Sequence, residues 1–338
     1  MGLLGEGESD VTFMWGGFIA FVVLLLALDL GVFNRKAHAP SVREALGFTA
    51  ATMLLALGFA VFVYVAYTNH WAGLGHAADT VDHQVNDGRL ATVKFLTGYI
   101  VEMSLSMDNV FVIALIFEHL KIPVALQHRV LFWGILGALG MRGAMIGGGT
   151  ALVTRYNWIL YLFGAFLVYT ALRMLLMKAK ESAPEESMVA RWLNRHFRVT
   201  KELHGSSFHI NRGGKMFITP LMVSLVLVET ADLVFAVDSI PAIFAITTDP
   251  FLVFTSNVFA ILCLRSLYFG LAGLLAKFRY LKVSLAVILG VVGIKMLTAK
   301  WTHDLLGEAI NFWMLGLVAG ILVVGAGASI LLPRKRAA

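Results

Sequence analysis

The sequence predicts an all-α fold: one polytopic membrane domain of about nine transmembrane helices, six of them forming two inverted three-helix repeats. Three observations carry this expectation. The 338 residues are 59% hydrophobic and 14% charged, with a mean hydropathy of +0.80, whereas soluble domains average about 25% charged residues. The apolar residues gather into stretches of roughly 20, the length that crosses a bilayer as a helix. Two of those stretches carry matching acids at one fixed offset.

The first stretch, 11–33, is too long for a removed signal peptide and lacks a basic leader and a cleavage site, so it reads as a span. Asp29, beside Asn34 and Arg35, reads as a charge at its inner boundary. The second span is 45–67. Residues 68–93 hold His70, His76 and His83 with Asp79, Asp82 and Asp87, and read as a solvated loop rather than a metal site. Spans at 94–117, 128–151 and 157–177 follow, and Glu118, His119 and His128 flank the first short turn as interfacial polar residues. Residues 178–216 mix both charge signs with Pro184, Gly205, Gly213 and Gly214. They read as a solvated linker, in which 187–198 has the pattern of a short basic amphipathic helix at the membrane surface. The last spans are 217–246, 252–276, 282–299 and 309–332. Gly143 with Gly147, and Gly316 with Gly320, suit close helix packing. The lone Cys263 lies within a span, which excludes an intramolecular disulfide and a cysteine-rich metal site.

Charge placement sets the orientation. With the N-terminus outside and the C-terminus in the cytoplasm, 19 of the 27 Lys and Arg fall on the cytoplasmic side, the positive-inside asymmetry of an inner-membrane protein. Only Arg89, Lys94, Arg155 and Lys300 face out. Topology and anionic lipid account for this basic side, so nothing points to nucleic acid.

Repeat 1 (94–177) and repeat 2 (217–299) flank the linker, with 11–67 and 309–332 as additional helices. GILGALGMR (134–142) matches NVFAILCLR (257–265), each ending an apolar run in arginine, and Arg173 falls opposite Lys295. Each half has three spans, an odd number, so the second half enters from the opposite side. Inverted repeats of this kind build transporters, with the substrate site between them near the midplane.

The acids are Glu102 and Asp108 in the first half, and Asp232 and Asp238 in the second with Glu229 one turn earlier. Carboxylates in hydrocarbon are costly and mark function by default. Residues six apart on an ideal helix are rotated by about 240° and displaced by about 9 Å. The pairs therefore converge only if the helices bend; Ser104, Ser106, Asn109 and Pro241 offer the means. Together with Asn109, Ser239 and backbone oxygens they make an oxygen-rich set suited to Mg²⁺, Ca²⁺ or Mn²⁺. Met103 and Met107 offer a soft ligand that would tilt selection towards Mn²⁺, though membrane methionines usually serve packing. The competing reading is structural pairing with Arg142, Arg173, Arg265 and Lys295. Six acids within the spans, Asp29 included, outnumber those four bases. No P-loop, dinucleotide fingerprint or hydrolase motif is present, so neither ATP-driven transport nor an enzyme is indicated.

In EMSLSMDNVFV, IPVALQHRVLFWGILGALGMR, ETADLVFAVDSIPAIFAIT and FTSNVFAILCLRSLYF, the chain resembles the TerC/Alx family. The resemblance runs from roughly the first span to the last. It implies manganese export from the cytoplasm and a fold of inverted three-helix repeats. It also implies Glu102, Asp108, Asn109, Glu229, Asp232, Asp238 and Ser239 as the cation ligands. The expected function is a secondary transporter exporting Mn²⁺, as substrate rather than cofactor, with proton exchange as its coupling. The alternative is a membrane scaffold for metal delivery to secreted enzymes or for a tellurium-resistance complex; a tellurite carrier would need positive charge at the midplane. Beyond the cation and the lipid bilayer, the sequence names no partner.

Overall fold

The computed structural model describes residues 3–28, 42–176, 188–200, 202–271, 280–299, 301–302, 307 and 309–331. Its long helices are α1 (Leu3–Leu28), α2 (Val42–Thr68), α3 (Gly88–His119), α4 (Val124–Arg155) and α5 (Trp158–Leu176), then α7 (Pro220–Phe244), α8 (Pro250–Leu271), α9 (Leu281–Leu297) and α10 (Ala309–Leu331), with the short α6 (Met188–His196) between α5 and α7. Eight of these described helices are long and apolar enough to cross a membrane. The ninth expected span is α9, whose 17 residues extend about 25 Å, a little less than a hydrocarbon core of about 30 Å.

Local chemistry fixes the ends. The Asp87 carboxylate accepts from Leu90 N at 2.7 Å and starts α3 six residues before the apolar pattern does. Asp249 accepts from Phe251 N and Leu252 N ahead of α8, where Pro250 needs no amide partner. Pro220 likewise opens α7, but the Thr219 hydroxyl before it donates to Ser207 O and Phe208 O instead of capping the helix.

The described residues between α5 and α7 are more ordered than a solvated linker. The helix expected at 187–198 forms as α6, with Ala190 and Leu193 buried. Beyond it, β1 (His209–Arg212) pairs antiparallel with β2 (Lys215–Ile218), in the register His209 opposite Ile218. Gly213 and Gly214 take φ of +60° and +73°, the left-handed pair that a two-residue hairpin turn demands.

Three apolar clusters hold the bundle. Phenylalanines from α1, α2, α3 and α8 interlock, with Phe59 and Phe259 ring centres 4.8 Å apart. A second cluster joins α5, α7, α9 and α10, and a third joins α3, α4, α6, α7 and α8. Helix α5 lies directly on α9. A Cβ at Gly164 would come within 3.1 Å of Gly293 O, and one at Gly293 within 2.9 Å of Gly164 O. Small residues allow helices this close an approach. Helix α3 packs on α8 as α7 packs on α4, and α5 on α9. Exchanging α3–α5 for α7–α9 leaves that pattern unchanged.

Candidate cation site

Arg142, near the middle of α4, is 2% exposed, and a guanidinium there requires charged or polar partners on every side. Three helices supply them. Nε donates to Asp232 Oδ2 at 3.2 Å and Nη2 to Asp232 Oδ1 at 3.0 Å, the two-point grip of arginine on a carboxylate. Nη1 donates to Glu102 Oε1 on α3, to Asn257 Oδ1 on α8 at 3.0 Å, and to Ser239 Oγ on α7 at 3.5 Å. Asn109 Nδ2 completes the ring by donating to Asp232 Oδ1 at 3.2 Å.

Helical spacing explains which residues meet. Glu102 and Asn109 are seven residues apart, as are Asp232 and Ser239. Seven residues fall within about 20° of two full turns, so each pair shares a face without any bend. The acids six residues on do not join them. Helix α3 is unbroken from Gly88 to His119, and α7 carries Pro241 yet continues to Phe244. Asp108 is accordingly half-buried elsewhere, where Lys282 acts on it electrostatically. Asp238 turns towards α5, its Oδ1 accepting from Thr170 Oγ1 at 3.5 Å, with the exposed Arg173 close enough to act on it. Glu229 is half-buried and pressed against Gly137 of α4, where a Cβ would overlap its carboxylate. The side chain of Arg265, and all of Asp29, lie outside the described residues.

Several oxygens at the centre remain unpaired. Glu102 Oε2, Ser106 Oγ and Asn109 Oδ1 are buried without a hydrogen-bond partner, as is Glu229 Oε2, although buried polar atoms are ordinarily satisfied. A cavity of about 20 Å³ between α3, α4, α7 and α8 is lined by Asn109 and Asp232 among apolar side chains. That is room for about one water-sized body. Among the described residues, no three His, Cys, Asp or Glu side chains gather to hold a metal. The oxygen set is two carboxylates with amide and hydroxyl groups, and a guanidinium stands in their midst. Met103 and Met107 pack into separate apolar clusters.

Asn257 carries no charge, so the spacing of acids did not single it out. Its signal in the sequence is its place at the head of NVFAILCLR, which marks it only as part of a repeat.

A second buried polar cluster corrects one expectation: residues 68–93 are not simply a solvated loop, and Lys94 beside them is buried rather than in solvent. Asp79, Asp82, Asn86 and Lys94 are all buried. Lys94 Nζ donates to Asp79 Oδ2 at 2.9 Å, Asp82 Oδ1 at 3.0 Å and Asn86 Oδ1 at 2.8 Å, using all three of its protons. Asp79 also accepts from Thr247 Oγ1 at 2.5 Å and from Thr248 N and Oγ1, while Asn311 Nδ2 of α10 donates to Asp82 Oδ2 at 3.0 Å. Lys295 of α9 belongs here, donating to Ala245 O at 3.0 Å. Burial pushes against ionisation of Asp79, but the Lys94 ammonium and the Thr247 and Thr248 hydrogen bonds outweigh it and hold its carboxyl down at about 2. Nearby Asp249 is instead raised, because burial outweighs the bonds from Tyr67, Leu252 and Asn86. His70 and His76 stack on each other with ring centres 4.7 Å apart rather than approaching these acids.

Comparison with known proteins places these residues in a family context. The pattern of the integral membrane protein TerC family matches residues 88–337. An uncharacterized membrane protein of Myxococcus xanthus, STKORF319, is 48% identical over 84% of this chain and 82% of its own. The Salmonella typhi protein named "Putative membrane-bound redox modulator Alx" is 44% identical over 92% of both chains. An uncharacterized membrane protein of Rickettsia bellii is 36% identical over 91% of this chain and 97% of its own. No solved structure matches the chain.

Proposed function

The chain belongs to the TerC family of integral membrane proteins, and from that premise we propose that it is a secondary transporter exporting Mn²⁺, with related divalent cations as further cargo. One observation carries the proposal: Glu102 and Asp232, from different helices, share a single guanidinium near mid-helix, and acceptor oxygens around them are left unpaired. Carboxylates at that depth persist only with a partner, and Arg142 is a partner tethered to the protein itself. It stands in for cargo when the site is empty. Arriving Mn²⁺ displaces the guanidinium and takes the carboxylates, with Asn109, Ser239 and Asn257 supplying neutral oxygens. Oxygen donors alone suit hard divalent cations.

Electroneutrality at the carboxylates motivates the coupling. The two are balanced by one divalent cation, or by one guanidinium and one proton, so cargo leaving the site is replaced by Arg142 and H⁺; the guanidinium keeps its charge when displaced, so each Mn²⁺ exchanged for one H⁺ moves one net positive charge. The packing pattern that survives exchange of α3–α5 for α7–α9 supports two inverted halves that alternate access around the site. The distribution of Lys and Arg supports an inner-membrane protein with its N-terminus outside. A redox role, which the relatives' name suggests for them, finds a single buried thiol here, Cys263.

Purified protein in liposomes tests the reading directly. Mn²⁺ flux is expected from the wild type and at least a tenfold loss from Glu102→Gln and from Asp232→Asn. Wild-type flux in both variants sinks the proposal. An inert isolated protein that co-purifies with stable partners favours the scaffold instead.

A further inference from the structure

We propose that the Asp79–Asp82–Lys94 cluster is the outer gate of the transport path and that it is closed in this structure. The inference rests on the transport reading above.

Position comes first. Lys94 is eight residues before Glu102 on α3, about 12 Å along the axis. Ala245, whose carbonyl holds Lys295, lies six residues after Ser239, one past the end of α7. Two of the four helices that build the cation site, α3 and α7, therefore also lead to this cluster, stacked at one end of the site, and the charge asymmetry assigns that end to the exterior. The cluster joins five pieces of chain: the 74–87 loop through Asp79, Asp82 and Asn86; α3 through Lys94; the α7–α8 connection through Thr247 and Thr248; α9 through Lys295; and α10 through Asn311.

Chemistry makes it a barrier to cargo. Lys94 and Lys295 place two ammonium groups across the way out, and Asp79 and Asp82, already engaged by Lys94, Thr247, Thr248 and Asn311, offer a departing cation no uncommitted carboxylate. The hole that they line with Thr97, Ile246, Asn311 and Met314 has no room for water. Void space lies on the other side of the site. The cavity at Asn109 and Asp232 continues along α3 to Ile113, and a cavity of about 370 Å³ lined by Ala114, Phe117, Glu118 and Tyr268 follows at the helix end.

Such a seal can also open. Buried ion pairs gain little over their hydrated state, because the Coulomb energy is largely offset by desolvation. Asp79 and Asp82 released with their loop into water regain hydration, which an apolar plug would not. The network thus closes firmly without committing much net free energy to the closed form.

Two measurements, both in a Cys263→Ala background, test the gate. In the first, Ile246→Cys is exposed to a membrane-impermeant maleimide from the exterior, with and without Asp79→Asn/Asp82→Asn. Labelling at least tenfold faster in the acid-neutralised protein is expected; equal labelling in monodisperse protein overturns the gate. In the second, Thr80→Cys/Thr248→Cys is bridged through two mixed disulfides by a short bis-methanethiosulfonate, across two residues joined by a 3.1 Å hydrogen bond. Mn²⁺ flux in liposomes is expected to stop when bridged and return on reduction, whereas undiminished flux while bridged overturns the gate. A parent without flux refutes the transport reading instead, and the labelling result then decides on the gate by itself.

Discussion

If Arg142 is a tethered substitute for cargo, removing it should create a protein that needs the cargo in order to be stable. Arg142→Met keeps the length of the side chain and deletes its charge. The variant leaves Glu102 and Asp232 buried without their shared partner, and breaking one side of a buried pair costs about 3–5 kcal/mol. The loss of the bonds to Asn257 and Ser239 adds to this. A divalent ion that occupies the vacated place returns part of that loss: an ion at a hundred times its dissociation constant stabilises by about 2.7 kcal/mol. Thermal unfolding in detergent, followed by tryptophan fluorescence, reads both effects. In chelator the variant should melt well below the parent. Stepwise Mn²⁺ should raise its midpoint much more than it raises the parent's, whose site the guanidinium already fills. Arg142→Met/Asp232→Asn, with one acid neutralised, should lose most of the Mn²⁺ response. An Arg142→Met protein that melts with the parent, or that gains no more from Mn²⁺ than the parent does, refutes the stand-in role.

Other expectations test neighbouring features. Gly137→Ala places a methyl group against the Glu229 carboxylate and should lower the melting midpoint; the shorter Asp at position 229 should recover part of the loss, and no recovery would mean that the contact is not limiting. Asp79 has its carboxyl lowered from 3.8 to about 2, so its contribution, about 2 kcal/mol, is full above the unfolded value and vanishes as pH falls through the folded one. The stability gap between parent and Asp79→Asn should therefore narrow from pH 5 towards pH 2, and a constant gap contradicts the assignment. Lys94→Met strands both Asp79 and Asp82 and should destabilise more than Asn311→Ala, which removes one neutral donor to Asp82; midpoints in the reverse order would refute the central place given to Lys94. Cys263 is buried, so native protein should resist a thiol reagent that labels it fully after denaturation.

The helices were legible because a bilayer imposes a length that hydropathy reports directly. Their ends were less so: α3 begins at Gly88 rather than 94 because Asp87 caps a turn that composition alone assigns to a loop. The acids were legible as a repeat, yet the six-residue spacing drew attention to Asp108 and Asp238, which straight helices turn away. The productive interval was the seven from Glu102 to Asn109 and from Asp232 to Ser239. It was visible in the same letters, but a polar uncharged residue stands out less than an acid. Arg142 was legible as a base facing acids; that it would gather Glu102, Asp232, Ser239 and Asn257 at once was not, since one sequence does not say which faces meet. The Lys94 cluster was hidden for another reason. Aspartates, histidines and glycines between two spans look like any wet loop, and only tertiary packing lowers Asp79 and Asp82 between α3 and α10.

Where Gly164 and Gly293 meet, main chain approaches main chain, and Leu167, Val168 and Leu297 close around the contact. Interdigitated side chains act as teeth, and helices that mesh through them must jump from one notch to the next. At the crossing of α5 and α9 those teeth surround a flush glycine contact, so the two helices sit closer there than any larger residue would permit. The width of a substituent at either glycine, rather than its polarity, then sets how closely they can approach.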